Sequence, residues 1–144
     1  MEAGLTRADL ESLARLGIPE SLLIEARVVR VSDREARDTY GIKGKQTSDM
    51  SGIVFPYFSP ETGYRTTARL RRDHPEIEDG KLKNKYMSPY GDGRHLYFPP
   101  GCVELLKQPE VPVVLVEAEK SVLACPMGTQ ETARSIVAVR NCYR

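Results

Sequence analysis

The sequence is poor in the residues that staple a small domain. It has three cysteines in 144 residues, Cys102, Cys125 and Cys142. No two form a C-x-x-C pair, and an odd number cannot all pair within one chain. Reduced thiols in a cytosol are therefore expected, not a disulfide framework. His74 and His95 stand isolated, with no partner at ligand spacing, so no zinc site is expected. No apolar run approaches the length of a membrane span, and residues 1–9 hold no hydrophobic signal core. The expectation is a soluble, cytoplasmic chain with no membrane partner. There is no G-x-x-x-x-G-K-[ST] loop, no G-x-G-x-x-G fingerprint and no G-x-S-x-G elbow. Nothing marks a haem or a nucleotide cofactor. Net charge is +1, so a nucleic-acid partner has to be argued from the distribution of charge, not from its total.

The apolar fraction is 40% and the charged fraction 28%, both ordinary for a globular protein. The length is that of one domain able to bury a core unaided. Three parts follow one another within residues 1–144: a helical part (1–50), a basic β part (51–110) and a β-α part (111–144). Thr6 and Asp9 predict a helix start, and Gly17 its stop. Pro19 opens a short second helix. Val28, Val29 and Val31 read as extended. Ser32-Asp33-Arg34-Glu35 is a capping box, which predicts a third helix over residues 33–40, ended by Gly41. Both glycines are followed by an apolar anchor, Ile18 or Ile42. Residues 43–51 read as a polar, mobile loop.

Residues 52–58 and 64–72 predict a hairpin about the turn Ser59-Pro60-Glu61-Thr62-Gly63. Residues 73–85 read as a loop, 85–88 and 95–98 as two short strands. Residues 102–107 predict a short helix with Val103, Leu105 and Leu106 turned inward. Residues 111–116 are continuously apolar, which predicts a central strand covered on both faces. Residues 118–124 read as a helix, and 129–139 as one more helix or a helix and strand. The class is α+β (α/β): N-terminal helices, antiparallel-looking central strands, then a β-α unit.

Two places carry chemistry. At the first, the strand ends in Glu117-Ala118-Glu119-Lys120. A carboxylate at a strand end beside a helix start can hold Mg²⁺, and Lys120 one turn in can meet a phosphate. The plainer reading, that Glu117 and Glu119 only complement the helix dipole, outweighs it on residue pattern alone. The second place is the strand over residues 64–72. Its period of two puts Arg65, Thr67, Arg69 and Arg71 on one face, a ridge suited to phosphate. Lys81, Lys83 and Lys85 follow, with Tyr86 as a stacking ring. A solvated face neutralised by Asp73, Glu76, Glu78 and Asp79 is the equal alternative.

Five runs taken in order carry a resemblance: residues 51–57, 69–75, 85–89, 96–100 and 114–120. Among them are Arg69-Leu70-Arg71-Arg72-Asp73-His74-Pro75 and Val114-Leu115-Val116-Glu117-Ala118-Glu119-Lys120. Together they resemble a domain of undefined function in phage- and plasmid-type primase and helicase proteins. That domain is similar to the core of bacterial-type primases, in which an α/β subdomain precedes a TOPRIM fold. The resemblance covers residues 17–124. It implies that Glu117 is the first TOPRIM motif, a carboxylate for Mg²⁺-dependent phosphoryl transfer, although Ala118 replaces the usual glycine. It implies that Arg69, Arg71, Lys85 and Tyr86 fall where primases contact template and nucleotide. A D-x-D pair, which TOPRIM catalysis requires, is missing from the sequence. The expected TOPRIM-like unit is thus incomplete, truncated after its first motif.

The leading expectation is a primase-associated, TOPRIM-like domain of a mobile-element replication protein. It would bind DNA or RNA or nucleotide phosphates through Arg65, Arg69, Arg71, Lys85, Tyr86 and Lys120, with Glu117 a vestigial catalytic and metal residue, and would not be active alone. A second expectation is an interaction module that contacts helicase or primase components or a second copy through an open strand edge. A third, a small nuclease or nucleotidyl transferase using Asp73, Asp92 or Glu104 beside Glu117, has no support in their spacing.

Overall fold

A computed structural model describes residues 4–125 and the backbone of Ile136–Arg140. Helix α1 spans Arg7–Ala14, α2 Glu20–Glu25 and α3 Asp33–Asp38. The Thr6 hydroxyl accepts from the Asp9 N–H at 3.2 Å, and the Asp9 carboxylate accepts from the Thr6 N–H at 3.0 Å. Ser32 and Glu35 close the same box on α3. Each helix then ends on a left-handed residue followed by a buried anchor: Gly17 before Ile18, Arg27 before Val28, Gly41 before Ile42. The anchor N–H groups reach back to the carbonyls of Leu13, Leu23 and Ala36. Those at Gly17 and Arg27 are Schellman closures and that at Gly41 reaches one residue further back; two of the three left-handed positions are glycine. Arg27 takes the third at φ +54, a backbone cost of about 1 kcal/mol. Its guanidinium lies 5.1 Å from the Phe58 ring centroid.

The strands in chain order are β1 (Val29–Val31), β2 (Gly52–Phe58), β3 (Arg65–Arg72), β4 (Glu76–Glu78), β5 (Lys81–Lys83), β6 (Tyr86–Met87), β7 (Leu96–Tyr97), β8 (Val113–Val116) and β9 (Ile136–Arg140). Helix α4 (Val103–Leu106) precedes β8, and α5 (Glu119–Ala124) follows it. The main sheet runs β1-β2-β3-β6, every neighbour antiparallel. Both faces of β2 are covered. Ile53, Phe55 and Tyr57 pack with Leu13, Leu23, Val122 and Leu123 from α1, α2 and α5. On the other face Val54 packs with Leu70, Ala68, Ala36 and Ile42. Two-sided burial explains why the strand is apolar at successive positions. Among the described residues, no helix is long and apolar enough to cross a membrane.

Four expectations are corrected. Residues 73–85 are not a plain loop: β4 and β5 form a hairpin, with Glu78 paired to Lys81 across Asp79 (φ +50) and Gly80 (φ +72). An Asp-Gly pair with both φ values positive is the preferred two-residue hairpin turn. Residues 43–51 are laced down. Arg37 donates to the carbonyls of Gly44, Lys45 and Ser48, and Asp33 accepts from the Met50 N–H at 2.8 Å. Helix α4 forms, but Val103 and Leu106 are exposed, and Leu105 alone of its three apolar residues packs against Cys102 and Val111.

The fourth correction concerns β8. It is an edge strand in the order β7-β9-β8, not a central covered one. Val113, Val114 and Leu115 are 56%, 42% and 61% exposed, and of the four strand residues Val116 alone packs against the core. Its partner among the described residues, β9, runs parallel from Val113↔Ile136 to Val116↔Val139. With α5 between them in the chain, β8 and β9 belong to a β-α-β unit. Of the expectation for residues 129–139, a strand is present from Ile136, and the expected helix lies outside the described residues.

Candidate nucleic-acid interface

Pairing with β2 sets which way the basic side chains of β3 point. Tyr57 stands opposite Thr67, Phe55 opposite Arg69, and Ile53 opposite Arg71. Thr67, Arg69 and Arg71 therefore share a face with the β2 residues that meet α1, α2 and α5. Arg65 does not. The register shifts between Tyr57 and Phe58, and Phe58 pairs with Arg65. Thr66 is the extra residue of a β-bulge, and a bulge re-aims the side chain beyond it. Arg65 reaches α3 instead, where its Nη2 donates to the Thr39 carbonyl at 3.1 Å and its guanidinium lies 4.6 Å from the Tyr40 ring centroid.

The structure brings three of the expected residues together. The Arg69 guanidinium lies 5.1 Å from the Tyr86 ring centroid, and Lys85 Nζ lies 6.0 Å from the same centroid. Tyr86 sits on β6 directly opposite Arg71. Arg71 and Lys120 form the second group. They line a pocket of about 30 Å³ with Asp9 and Ser12, and Arg71 Nε is buried with no hydrogen-bond acceptor among the described residues. Arg30 holds the Asp9 carboxylate of that pocket with Nε at 2.7 Å and Nη2 at 2.6 Å. That bonding, helped by Thr6 and opposed by desolvation, pulls the Asp9 carboxyl down to about 2.

Glu117 does not join these groups. It is exposed between β8 and α5. The carboxylate that turns inward is Glu119, which is 3% exposed. It accepts from the Tyr57 hydroxyl at 2.5 Å and lies 3.7 Å from Arg69 Nε. Tyr97 packs edge-on to Tyr57 with centroids 5.0 Å apart. Desolvation first, and then the nearby Glu119 charge, raise both phenols above their ordinary range, so both remain protonated. Sequence reading grouped Glu119 with Glu117 as a dipole partner. The usable signal was its spacing: Glu119, Val122 and Leu123 are the buried stripe of α5, at i, i+3 and i+4.

His95, expected to be isolated, has a partner: its Nε2 lies 2.8 Å from Asp92 Oδ1, and the Thr67 hydroxyl donates to the same carboxylate. Among the described residues no three His, Cys, Asp or Glu side chains gather where they could hold a metal ion. A divalent cation at Glu117 would depend on water and on a ligand's own oxygens for the rest of its shell.

No protein-family model, curated protein or solved structure matches the chain.

Proposed function

We propose that the chain is a primase-associated, TOPRIM-like domain that binds nucleic acid through its phosphates and carries out no nucleotidyl transfer by itself. The convergence of Arg69 and Lys85 on Tyr86, next to the pocket shared by Arg71 and Lys120, carries this reading. Guanidinium and ammonium groups meet phosphate oxygens, and a tyrosine ring offers a base a stacking face. Glu119 acts as a positioning residue, fixing Arg69 from beneath. The parallel β8-α5-β9 unit supports the TOPRIM-type part of the reading. The missing D-x-D pair supports the absence of catalysis.

Binding of a fluorescent single-stranded oligonucleotide at increasing salt tests the proposal. Four phosphate contacts predict a slope of about −3 in log K against log salt. Arg71→Glu together with Lys85→Glu should weaken binding by roughly a hundredfold at low salt, with an unchanged circular dichroism spectrum. Arg69 is left alone, because reversing it would set a carboxylate against buried Glu119. No binding by the unaltered chain at low salt would refute the reading, and Mg²⁺-dependent primer synthesis would refute its non-catalytic part.

The exposed edge strand β8 favours a second reading, a module that associates with a replication partner or with its own copy. Light scattering would then give a mass that rises with concentration. Val114→Lys would hold the chain monomeric and leave oligonucleotide binding unchanged.

A further inference from the structure

A groove of about 350 Å³ runs along the outer side of β6, lined by Lys43, Asn84, Tyr86, Met87, Ser88 and Tyr90. Neither Lys43 nor Tyr90 stands out in the sequence, where one falls in a polar loop and the other in a turn. In the fold the Lys43 ammonium lies 4.8 Å from the Tyr90 ring centroid. The ring is 78% exposed, so it packs little and contributes little to the core. Its backbone is nonetheless fixed. The Tyr90 N–H donates to the Gly41 carbonyl at 3.2 Å, just past α3. Two residues on, Asp92 is held by Thr67 and His95. That engagement also occupies the one carboxylate that lines the groove among the described residues. An anchored, outward-facing aromatic ring beside a cation with no ion-pair partner among the described residues is well suited to a stacked base with its phosphate.

We infer that this groove is a base-stacking subsite for single-stranded nucleic acid, in which Tyr90 receives an unpaired base and Lys43 the adjoining phosphate. The inference rests on the reading of the chain as a nucleic-acid binder and adds the ligand class: a single strand in preference to a duplex. Tyr86 joins the two regions, since it lines the groove and also carries Arg69 against its ring. A strand can therefore follow the cations of β3 and Lys85, just before β6, and pass round the edge of the sheet onto Tyr90. A duplex keeps its bases stacked on each other and offers none to the ring.

The test measures binding of a thymidine 15-mer and of a 15-base-pair duplex by fluorescence anisotropy at several salt concentrations. Tyr90→Ala should weaken 15-mer binding by about tenfold and leave duplex binding unchanged. Tyr90→Phe should bind like the unaltered chain, because it keeps the ring. Lys43→Ala should make the salt slope shallower by about one contact. Full 15-mer affinity in Tyr90→Ala, or equal losses for 15-mer and duplex, would overturn the subsite. If Arg71→Glu still lost binding in that case, the phosphate-binding reading would stand alone. Failure of the unaltered chain to bind either probe would remove both.

Discussion

Arg72 and Arg30 show how arginines of similar sequence context divide between structure and surface. The Arg72 guanidinium is 2% exposed and donates to the carbonyls of Asp49, His74 and Asn84 and to both oxygens of Glu76. It fastens the 43–51 loop and the β4-β5 hairpin to the end of β3, with no donor left over for a ligand. Arg30 does the same between α1 and the end of β3, bonding Asp9 and Asp73. A pH prediction belongs to this scale. Asp9 has its carboxyl lowered from 3.8 to about 2 in the folded chain. A folded pKa below the unfolded one adds stability that is complete above about pH 4 and lost as pH falls toward 2. The amount is about 2 kcal/mol. Glu76, lowered to about 2 by Arg72, titrates over a similar acid range. Urea midpoints should show Asp9→Asn less stable than the unaltered chain at pH 7 and converging with it near pH 2. A constant gap would mean that Asp9 acts through shape alone.

At the scale of elements, the β2-β3 pair positions the candidate interface, and its register depends on a residue with no side chain. A Cβ on Gly52 would lie 2.1 Å from the Arg71 carbonyl oxygen and 3.0 Å from the Arg72 Cα. Backbone atoms in a paired strand cannot move aside as a flexible side chain can. Gly52→Ala should therefore cost roughly 3 kcal/mol and weaken oligonucleotide binding by displacing Arg71. Thermal melting and anisotropy on the same sample check both effects. Capping boxes and glycine stops were legible in the sequence because they involve neighbours three or four residues apart. The β4-β5 hairpin has a local mark in Asp79-Gly80, but the charge of residues 73–85 gave that segment the reading of a loop. The bulge at Thr66 left no local mark. It arises from how β3 meets β2, and it separates Arg65 from Arg69 and Arg71.

At the scale of the whole molecule, Tyr57 and Glu119 tie the β8-α5-β9 unit to the main sheet. Residues 62 positions apart share a buried hydrogen bond, reinforced by Val122 and Leu123 in the same core. Tyr57→Phe removes the donor and leaves a carboxylate that is 3% exposed without it, at a cost of roughly 2–3 kcal/mol. Hydrogen exchange should then rise first in residues 113–124, before the main sheet opens. Glu119→Gln keeps an acceptor for the phenol and should cost less. Uniform loss of protection across the chain would show that the tie is not local.

Helix starts and stops, the apolar β2 strand, the mixed α+β class and the basic character of β3 were determined by the sequence alone. Each follows from short-range sterics or from a periodicity read within one segment. The tertiary structure decided which cations meet, that Arg65 leaves the ridge, and that Glu119 rather than Glu117 is the buried acid. It also decided that the apolar run at Val113–Val116 lies at a sheet edge. The reason is common to all four: pairing partners and packing layers come from distant parts of the chain, and a local pattern records what a segment can bury but not what is there to cover it.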